Sequence, residues 1–180
     1  LVASATNTVC SGEILQTHRR LNFEVSRAEY FKVLGMKTAE LFALSCELGA
    51  MLSGAAENER AALRAYGMAL GTAYQIYDDC VDVFGSEASV GKSLGTDLAS
   101  GKLTLPILVV LERANAEERA RLRELVQAWR PHHMDKVLAL LQQHDALKES
   151  RRVIFQYLAA ANQSLARSEE HTSELQSHSD

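Results

Sequence analysis

Residues 66–82 read YGMALGTAYQIYDDCVD, an apolar stretch that ends in three aspartates. Asp78 and Asp82 are four residues apart and share one helix face, with Asp79 beside them and Gln75 one turn earlier on the same side. Like charges at this spacing repel by about 0.2–0.5 kcal/mol per pair, and the negative end of the helix dipole adds about 0.3–1 kcal/mol. The stretch therefore predicts a helix whose last turns carry a costly negative charge.

A bound divalent cation would reverse both of these unfavourable terms. Carboxylate oxygens are the ligands that Mg²⁺ prefers, and Mg²⁺ commonly bridges one or two carboxylates to the phosphates of a substrate. The six histidines show no metal-ligand spacing. We therefore predict that Asp78, Asp79 and Asp82 form a magnesium site; the alternative is a solvated helix end with an acidic face.

The segment that follows, residues 85–102, reads GSEASVGKSLGTDLASGK and predicts a long loop. Long loops inside compact domains tend to carry function. Its glycines permit close backbone approach to a ligand, and Lys92 and Lys102 can bind phosphate oxygens. Asp97 can support a bound metal through hydrogen bonds.

Lys37 and Thr38 lie upstream, where a long helix becomes apolar on all sides. A lysine that enters a core needs a counter-charge, which a diphosphate could supply. The alternative is a lysine whose aliphatic stem packs on the protein while its ammonium reaches solvent. The sequence around Lys37 leaves both interpretations open.

The composition predicts an all-α fold, because 47% of the residues are hydrophobic, alanine and leucine dominate, and there are only two prolines. We expect capping by Ser26 with Glu29, by Asn58, and by Asn115 with Glu118. The predicted helices cover residues 8–18, 26–54, 61–84, 104–111, 116–129, 134–144 and 145–166.

Gly67 and Gly71 leave one face of the helix over residues 61–84 without side chains. Each glycine costs about 1 kcal/mol relative to alanine inside a helix, which suggests a compensating contact. Either a second helix or a ligand could approach this face. Tight helix packing is the interpretation that we favour for Gly67.

Charge and cysteine content exclude several classes of protein. The net charge is −4 and both signs are mixed, so there is no basic stripe for nucleic acid and no polybasic patch for an anionic membrane. No apolar run reaches the length of a membrane span. Cys10, Cys46 and Cys80 are odd in number and widely spaced, which favours buried free thiols in a reducing, cytoplasmic compartment.

Four segments together resemble the trans-type polyprenyl diphosphate synthase family. They are GEILQ at 12–16, MKTAELF at 36–42, YGMALGTAYQIYDDCVD at 66–82 and GKSLGTDLASGKLTLP at 91–106. The resemblance is close over residues 9–111 and looser beyond, and the combination is far more specific than any one motif. It implies a helical bundle of the isoprenoid synthase type around a deep cavity, with two aspartate-rich motifs that hold Mg²⁺ on an allylic diphosphate.

The resemblance also implies a role for each candidate residue. Asp78, Asp79 and Asp82 match the second aspartate-rich motif, with Asp78 as the direct metal ligand. Lys37 and Lys92 match the diphosphate-contacting lysines of the family. Thr38 and Gln75 match positions that flank the nascent carbocation. Asp97 and Lys102 match the supporting loop.

The implied reaction lengthens a prenyl chain by one five-carbon unit. The metal ions and lysines neutralise the leaving diphosphate, and the double bond of isopentenyl diphosphate attacks the allylic cation. The family also implies a homodimer. No side-chain nucleophile is needed for this chemistry, and none is evident in the sequence.

Some features of the family are absent from the sequence. The first aspartate-rich motif, the arginines after it and the upstream basic residues for isopentenyl diphosphate do not occur. We expect a bundle truncated at its N-terminus and at its C-terminus, inactive alone, whereas a full-length parent would be active. Three alternatives are a class I terpene cyclase, a non-catalytic subunit of a heteromeric synthase and a helical interaction module.

The last residues predict a boundary near position 167. Residues 167–177 read RSEEHTSELQS, which is similar to the in-frame translation of a sequencing-library adapter. The alternative is a polar, frayed tail. We therefore assign residues 1–166 to a partial polyprenyl diphosphate synthase domain and residues 167–180 to an artefactual or disordered tail.

Overall fold

The computed structural model describes residues 1–85 and 94–177, and the side chains of residues 1–85 and 94–166. These residues form helices and no strand, which confirms the predicted all-α fold. The α-helices are α1 (Val2–His18), α2 (Arg27–Leu34), α3 (Glu40–Leu52), α4 (Glu57–Phe84), α5 (Thr96–Ala99), α6 (Leu105–Arg113), α7 (Ala116–Gln127), α8 (Met134–Gln143) and α9 (Ala146–Ser177). A π-helical turn, Gly35–Ala39, joins α2 to α3, and a 3₁₀ turn, Pro131–His133, precedes α8.

The chain divides into two compact units. The first contains Leu1–Glu13, Leu34–Gln75 and the chain from Ile154 onward, and the second contains Ile14–Val33 and Ile76–Val153. Helix α4 contributes residues to both units.

In the first unit, α4 packs closely on the helical segment before it. A Cβ atom added at Gly67 would lie 2.5 Å from the carbonyl oxygen of Phe42, and one at Gly71 would lie 2.7 Å from Cα of Ala39. Real side chains do not approach backbone atoms so closely. The interpretation of Gly67 as a helix-packing residue is therefore confirmed.

The second unit holds the largest fully buried side chains. Burial of each large aliphatic side chain contributes about 1.5–3 kcal/mol, so these residues supply much of the apolar stabilisation of the second unit. They are Ile76, Val83, Leu98, Leu105, Ile107, Leu108, Val109, Val110, Leu122, Val126, Val137 and Leu141.

Two of the three predicted helix caps are present. The Ser26 N–H donates to Glu29 Oε2 at 3.0 Å, and the Asn115 and Glu118 side chains bond each other's backbone N–H groups. The cap predicted at Asn58 is wrong, because α4 already begins at Glu57. The backbone N–H of Ala56, which precedes the helix, donates to Glu59 Oε2 at 2.8 Å.

The predicted loop over residues 85–102 is only partly a loop. Residues 86–93, which include Lys92, lie outside the described residues. Within the remainder, Thr96–Ala99 forms α5, so the prediction of irregular structure is wrong there. Helix propensity alone does not predict α5, because the first N–H groups of this helix donate to the side chain of Asp82 on α4.

Each helix that the structure describes is too short or too polar to cross a bilayer. Cys80 is buried and burial raises the pKa of its thiol to about 11, whereas Cys10 is exposed, so the buried-thiol prediction is wrong for Cys10. Helix α9 continues to Ser177, past the predicted boundary; the artefactual origin of the tail stays a prediction.

Candidate functional site

The three aspartates at the end of α4 occupy different environments. Asp79 is 0% exposed and Asp82 is 2% exposed, whereas Asp78 is half-buried. All three are in the last two turns of α4. Each buried carboxylate therefore needs hydrogen-bond donors from the protein, because burial of an unpaired charge is costly.

Asp79 receives its donors from two distant segments of the second unit. The Tyr30 hydroxyl donates to Asp79 Oδ2 at 2.7 Å, and Lys102 Nζ donates to Asp79 Oδ1 at 2.7 Å. Lys102 also donates to Asp97 Oδ2 at 3.0 Å. The ammonium of Lys102 therefore lies between two carboxylates.

Burial and charge act on these groups in different directions. Burial opposes the charge on Lys102, but Asp79 and Asp97 outweigh that effect and raise its pKa. Burial raises the pKa of Asp97, and the Lys102 charge only partly offsets it. Burial, followed by the charge of Asp79, raises the pKa of Tyr30 well above its usual value, so Tyr30 is a neutral donor.

Asp82 accepts three hydrogen bonds from α5. Its Oδ1 accepts from the Thr96 hydroxyl at 2.7 Å and from the Thr96 N–H at 3.2 Å. Its Oδ2 accepts from the Asp97 N–H at 3.0 Å. The charge of Asp82 is therefore compensated within the protein.

These contacts change the argument that repulsion among the aspartates requires a metal. A lysine, a phenol, a threonine hydroxyl and two backbone amides donate to Asp79 and Asp82 from within the protein. Sequence reasoning missed Tyr30 and Thr96. A buried tyrosine usually has a hydroxyl partner, but sequence could not identify Asp79, 49 residues away, as that partner.

Thr38 and Gln75 are brought together in the first unit. The Thr38 hydroxyl donates to Gln75 Oε1 at 2.7 Å, and the contact is partly buried. Thr38 lies in the π-helical turn, and Gln75 lies on α4 one turn after Gly71. This bond orients both side-chain oxygens.

Lys37 has a protein counter-charge. Its Nζ lies 3.0 Å from Glu13 Oε1, and the two side chains are 32% and 52% exposed. A diphosphate is therefore not required as the counter-charge of Lys37, and the alternative of a partly solvated lysine describes its surroundings. A role in binding phosphate stays a prediction, as it does for Lys92.

A magnesium ion at this site would need oxygen ligands. No group of three or more acidic, histidine or cysteine side chains converges as a ready metal site in residues 1–85 and 94–166. Mg²⁺, however, commonly takes one or two carboxylates and receives its other ligands from water and substrate phosphates. The half-buried Asp78 fits such a limited contribution.

Comparison with known proteins identifies the family. The polyprenyl synthetase family profile matches residues 1–144. The chain is 38% identical over 148 residues to octaprenyl diphosphate synthase from Haemophilus influenzae, covering 82% of this chain and 45% of that protein. It is 36% identical over 157 residues to heptaprenyl diphosphate synthase component 2 from Bacillus subtilis, covering 87% and 44%.

The fold agrees with a solved structure of the same family. Polyprenyl synthase from Caulobacter crescentus, in complex with calcium and isoprenyl diphosphate, matches with a TM-score of 0.87 and 32% identity, over 92% of this chain and 51% of that one. The chain thus spans about half the length of the relatives it matches. With a profile match over residues 1–144 and this fold, the chain belongs to the polyprenyl synthetase family.

Proposed function

We propose that this chain is part of a prenyltransferase that joins an allylic prenyl diphosphate to isopentenyl diphosphate. Its family membership supports the reaction class. The observation that carries the proposal is the difference in burial among the three aspartates of α4: Asp79 and Asp82 are buried, and Asp78 is half-buried beside them. A terpene cyclase, the first alternative, is not favoured by the relatives, which are chain-lengthening synthases by name.

Asp78 is the residue that we assign to the metal. Bound Mg²⁺ would supply positive charge to the diphosphate and make it a better leaving group. Lys37 and Lys92 are assigned to the phosphate oxygens, where ammonium groups act as point charges. Lys102, held between Asp79 and Asp97, is assigned to the support of this site more than to direct substrate contact.

Thr38 and Gln75 are assigned to the stabilisation of positive charge at the reacting carbon. When the allylic C–O bond breaks, its electron pair leaves with the diphosphate and positive charge develops on the prenyl carbons. Because the Thr38 hydroxyl donates to Gln75, the lone pairs of Thr38 Oγ1 remain available to face that charge. The isopentenyl double bond then forms the new C–C bond, and the proton lost is accepted by the released diphosphate.

The assembly state is part of the proposal. We propose a homodimer, as the family resemblance implies. The Bacillus subtilis relative carries the name of a component, which supports a heteromeric synthase as the second possibility. The two differ in whether a longer protein that contains these residues, purified alone, lengthens prenyl chains. The cytoplasmic location predicted from the sequence stays a prediction.

The proposal is tested by titration calorimetry of the 180-residue chain with inorganic pyrophosphate, with and without Mg²⁺. We expect Mg²⁺-dependent binding, weakened about tenfold or more by Asp78→Asn, because one ligand charge is lost. Asp135→Asn, which removes an exposed aspartate of α8, is the matched control and leaves affinity unchanged. Equal Mg²⁺-dependent affinity in wild type and Asp78→Asn would contradict the assignment.

Activity is tested separately in a longer parent that contains these residues. With labelled isopentenyl diphosphate and an allylic diphosphate, mass spectrometry should show products that grow in five-carbon steps. The 180-residue chain alone is expected to give none. Product formation by the 180-residue chain alone would overturn the expectation that it is inactive. Absence of product from the longer protein, with and without partner proteins, would overturn the proposed reaction.

A further inference from the structure

The segment 95–102, which we call the 95–102 turn, is bonded to α4 near both of its ends. At its start, the Gly95 N–H donates to the Asp82 carbonyl oxygen at 2.8 Å, and the Asp82 carboxylate accepts from Thr96 and Asp97. At its end, Lys102 Nζ donates to Asp79 Oδ1. Two buried aspartates of α4 therefore fix the position of one short segment.

Glycines at the two ends restrict the alternatives for this turn. Gly95 has φ 71°, and an added Cβ would lie 2.7 Å from Met134 Cε. Gly101 has φ 76°, and an added Cβ would lie 2.9 Å from Leu21 Cγ, while its carbonyl oxygen accepts from the Leu21 N–H at 2.8 Å. The turn is therefore closely packed at both ends, and its position in the fold is defined by this packing together with its bonds to α4.

Asp97 connects the two ends of the turn. Its backbone N–H is held by Asp82, and its side-chain Oδ2 accepts from Lys102, which also bonds Asp79. We therefore expect a change at Asp82 to alter the position of the Asp97 carboxylate and, through it, that of the Lys102 ammonium.

We propose that Asp82 is a positioning residue, which places the 95–102 turn against α4 and does not itself bind the metal. Both of its oxygens already accept hydrogen bonds, three in all, and its side chain is 2% exposed. Its charge strengthens those bonds, because charge-assisted hydrogen bonds are about twice as strong as neutral ones. This inference rests on the proposed function only for the consequence that it has for diphosphate binding.

The first test measures amide hydrogen exchange in the 180-residue chain. Asp82→Asn replaces one acceptor oxygen by an NH₂ group, and Thr96→Val removes the hydroxyl donor without a change in shape. In both variants, hydrogen exchange at the backbone amides of residues 96 and 97 should become about tenfold faster or more, with little change in exchange in α6 and α7. Thr96→Ser keeps the hydroxyl and should restore slow exchange.

Two exchange results would overturn the proposal. One is unchanged exchange at Thr96 and Asp97 in both variants. The other is an equal acceleration across every helix, which would show that Asp82 serves global stability and does not place this turn in particular. Neither result depends on ligand binding.

The second test separates a positioning residue from a metal ligand by Mg²⁺-dependent binding of inorganic pyrophosphate. If Asp82 positions the turn, Thr96→Val weakens binding in the same direction as Asp82→Asn, and Thr96→Ser restores it. If Asp82 binds the metal, Asp82→Asn alone weakens binding and Thr96→Val leaves it unchanged, which overturns the proposal. Absence of pyrophosphate binding in the wild-type chain counts against the proposed function, and the exchange test still decides the role of Asp82.

Discussion

The hydroxyl of Tyr30 donates a hydrogen bond to Oδ2 of Asp79 at 2.7 Å, between two side chains that are almost entirely out of contact with solvent. Tyr30→Phe removes this donor from a buried carboxylate. We expect a loss of about 1–3 kcal/mol in the free energy of unfolding, because buried acceptors that lose a donor are costly. Urea unfolding followed by circular dichroism measures it.

The control for Tyr30→Phe is Tyr77→Phe, which removes an exposed tyrosine hydroxyl from α4. We expect this control to change stability by no more than about 0.5 kcal/mol, as is usual for surface substitutions. Equal effects of the two substitutions would show that the Tyr30–Asp79 bond contributes little.

The bond between Thr38 and Gln75 predicts coupled effects on stability. In a double-mutant cycle with Thr38→Val and Gln75→Leu, we expect a coupling energy of about 0.5–1.5 kcal/mol, because the two variants remove the same hydrogen bond. A cycle of Gln75→Leu with Thr6→Val, an exposed hydroxyl on α1, should be additive within about 0.5 kcal/mol. Additivity in the first cycle would contradict the bond.

Local patterns were enough to predict most of the helices and two caps. Apolar periodicity and an Asn or Ser followed three residues later by Glu depend on neighbours in sequence, so they are readable without a structure. The cap predicted at Asn58 was wrong for an equally local reason. Glu59 accepts from the N–H of Ala56, so the helix starts earlier than the favoured capping residue indicated.

Long-range contacts limited what could be predicted of the site. Repulsion within α4 is visible in the sequence, but Asp79 is compensated by Lys102 and Tyr30, which are 23 and 49 residues away in sequence. Lys37 similarly pairs with Glu13 of α1. The pattern of three aspartates marks a candidate site in the sequence, and only the fold shows that its members have different surroundings.

Gly67 predicts a steric effect with a sharp control. Gly67→Ala places a methyl group 2.5 Å from the Phe42 carbonyl oxygen, so we expect a destabilisation of about 1–3 kcal/mol from overpacking, despite the gain in helix propensity. Gly49→Ala, in α3, meets no atom within 4 Å and should stabilise the protein by up to about 1 kcal/mol. Thermal unfolding of both variants measures the difference. Stabilisation by both substitutions would contradict close packing at Gly67.

Glu149 predicts a pH dependence of stability. Hydrogen bonds from Arg152 and Arg27 lower its pKa from 4.5 to about 2. Because the folded-state pKa is lowered, the contribution to stability is complete above pH 4.5 and is lost as the pH falls from about 4.5 to 2. We expect it to be on the order of 1 kcal/mol, since the arginines are partly exposed and water screens the pairs.

Urea unfolding of wild type and Glu149→Gln at several pH values measures this contribution. The difference in the free energy of unfolding should be largest near pH 7 and should shrink as the pH falls towards 3, because the unfolded-state carboxyl is then protonated while the folded one still resists protonation. Lys148→Gln, an exposed neighbour without a carboxyl group, should give a nearly constant difference over the same range. A wild-type advantage over Glu149→Gln that grows on acidification would have the opposite sign to the one that the Arg27 and Arg152 contacts require.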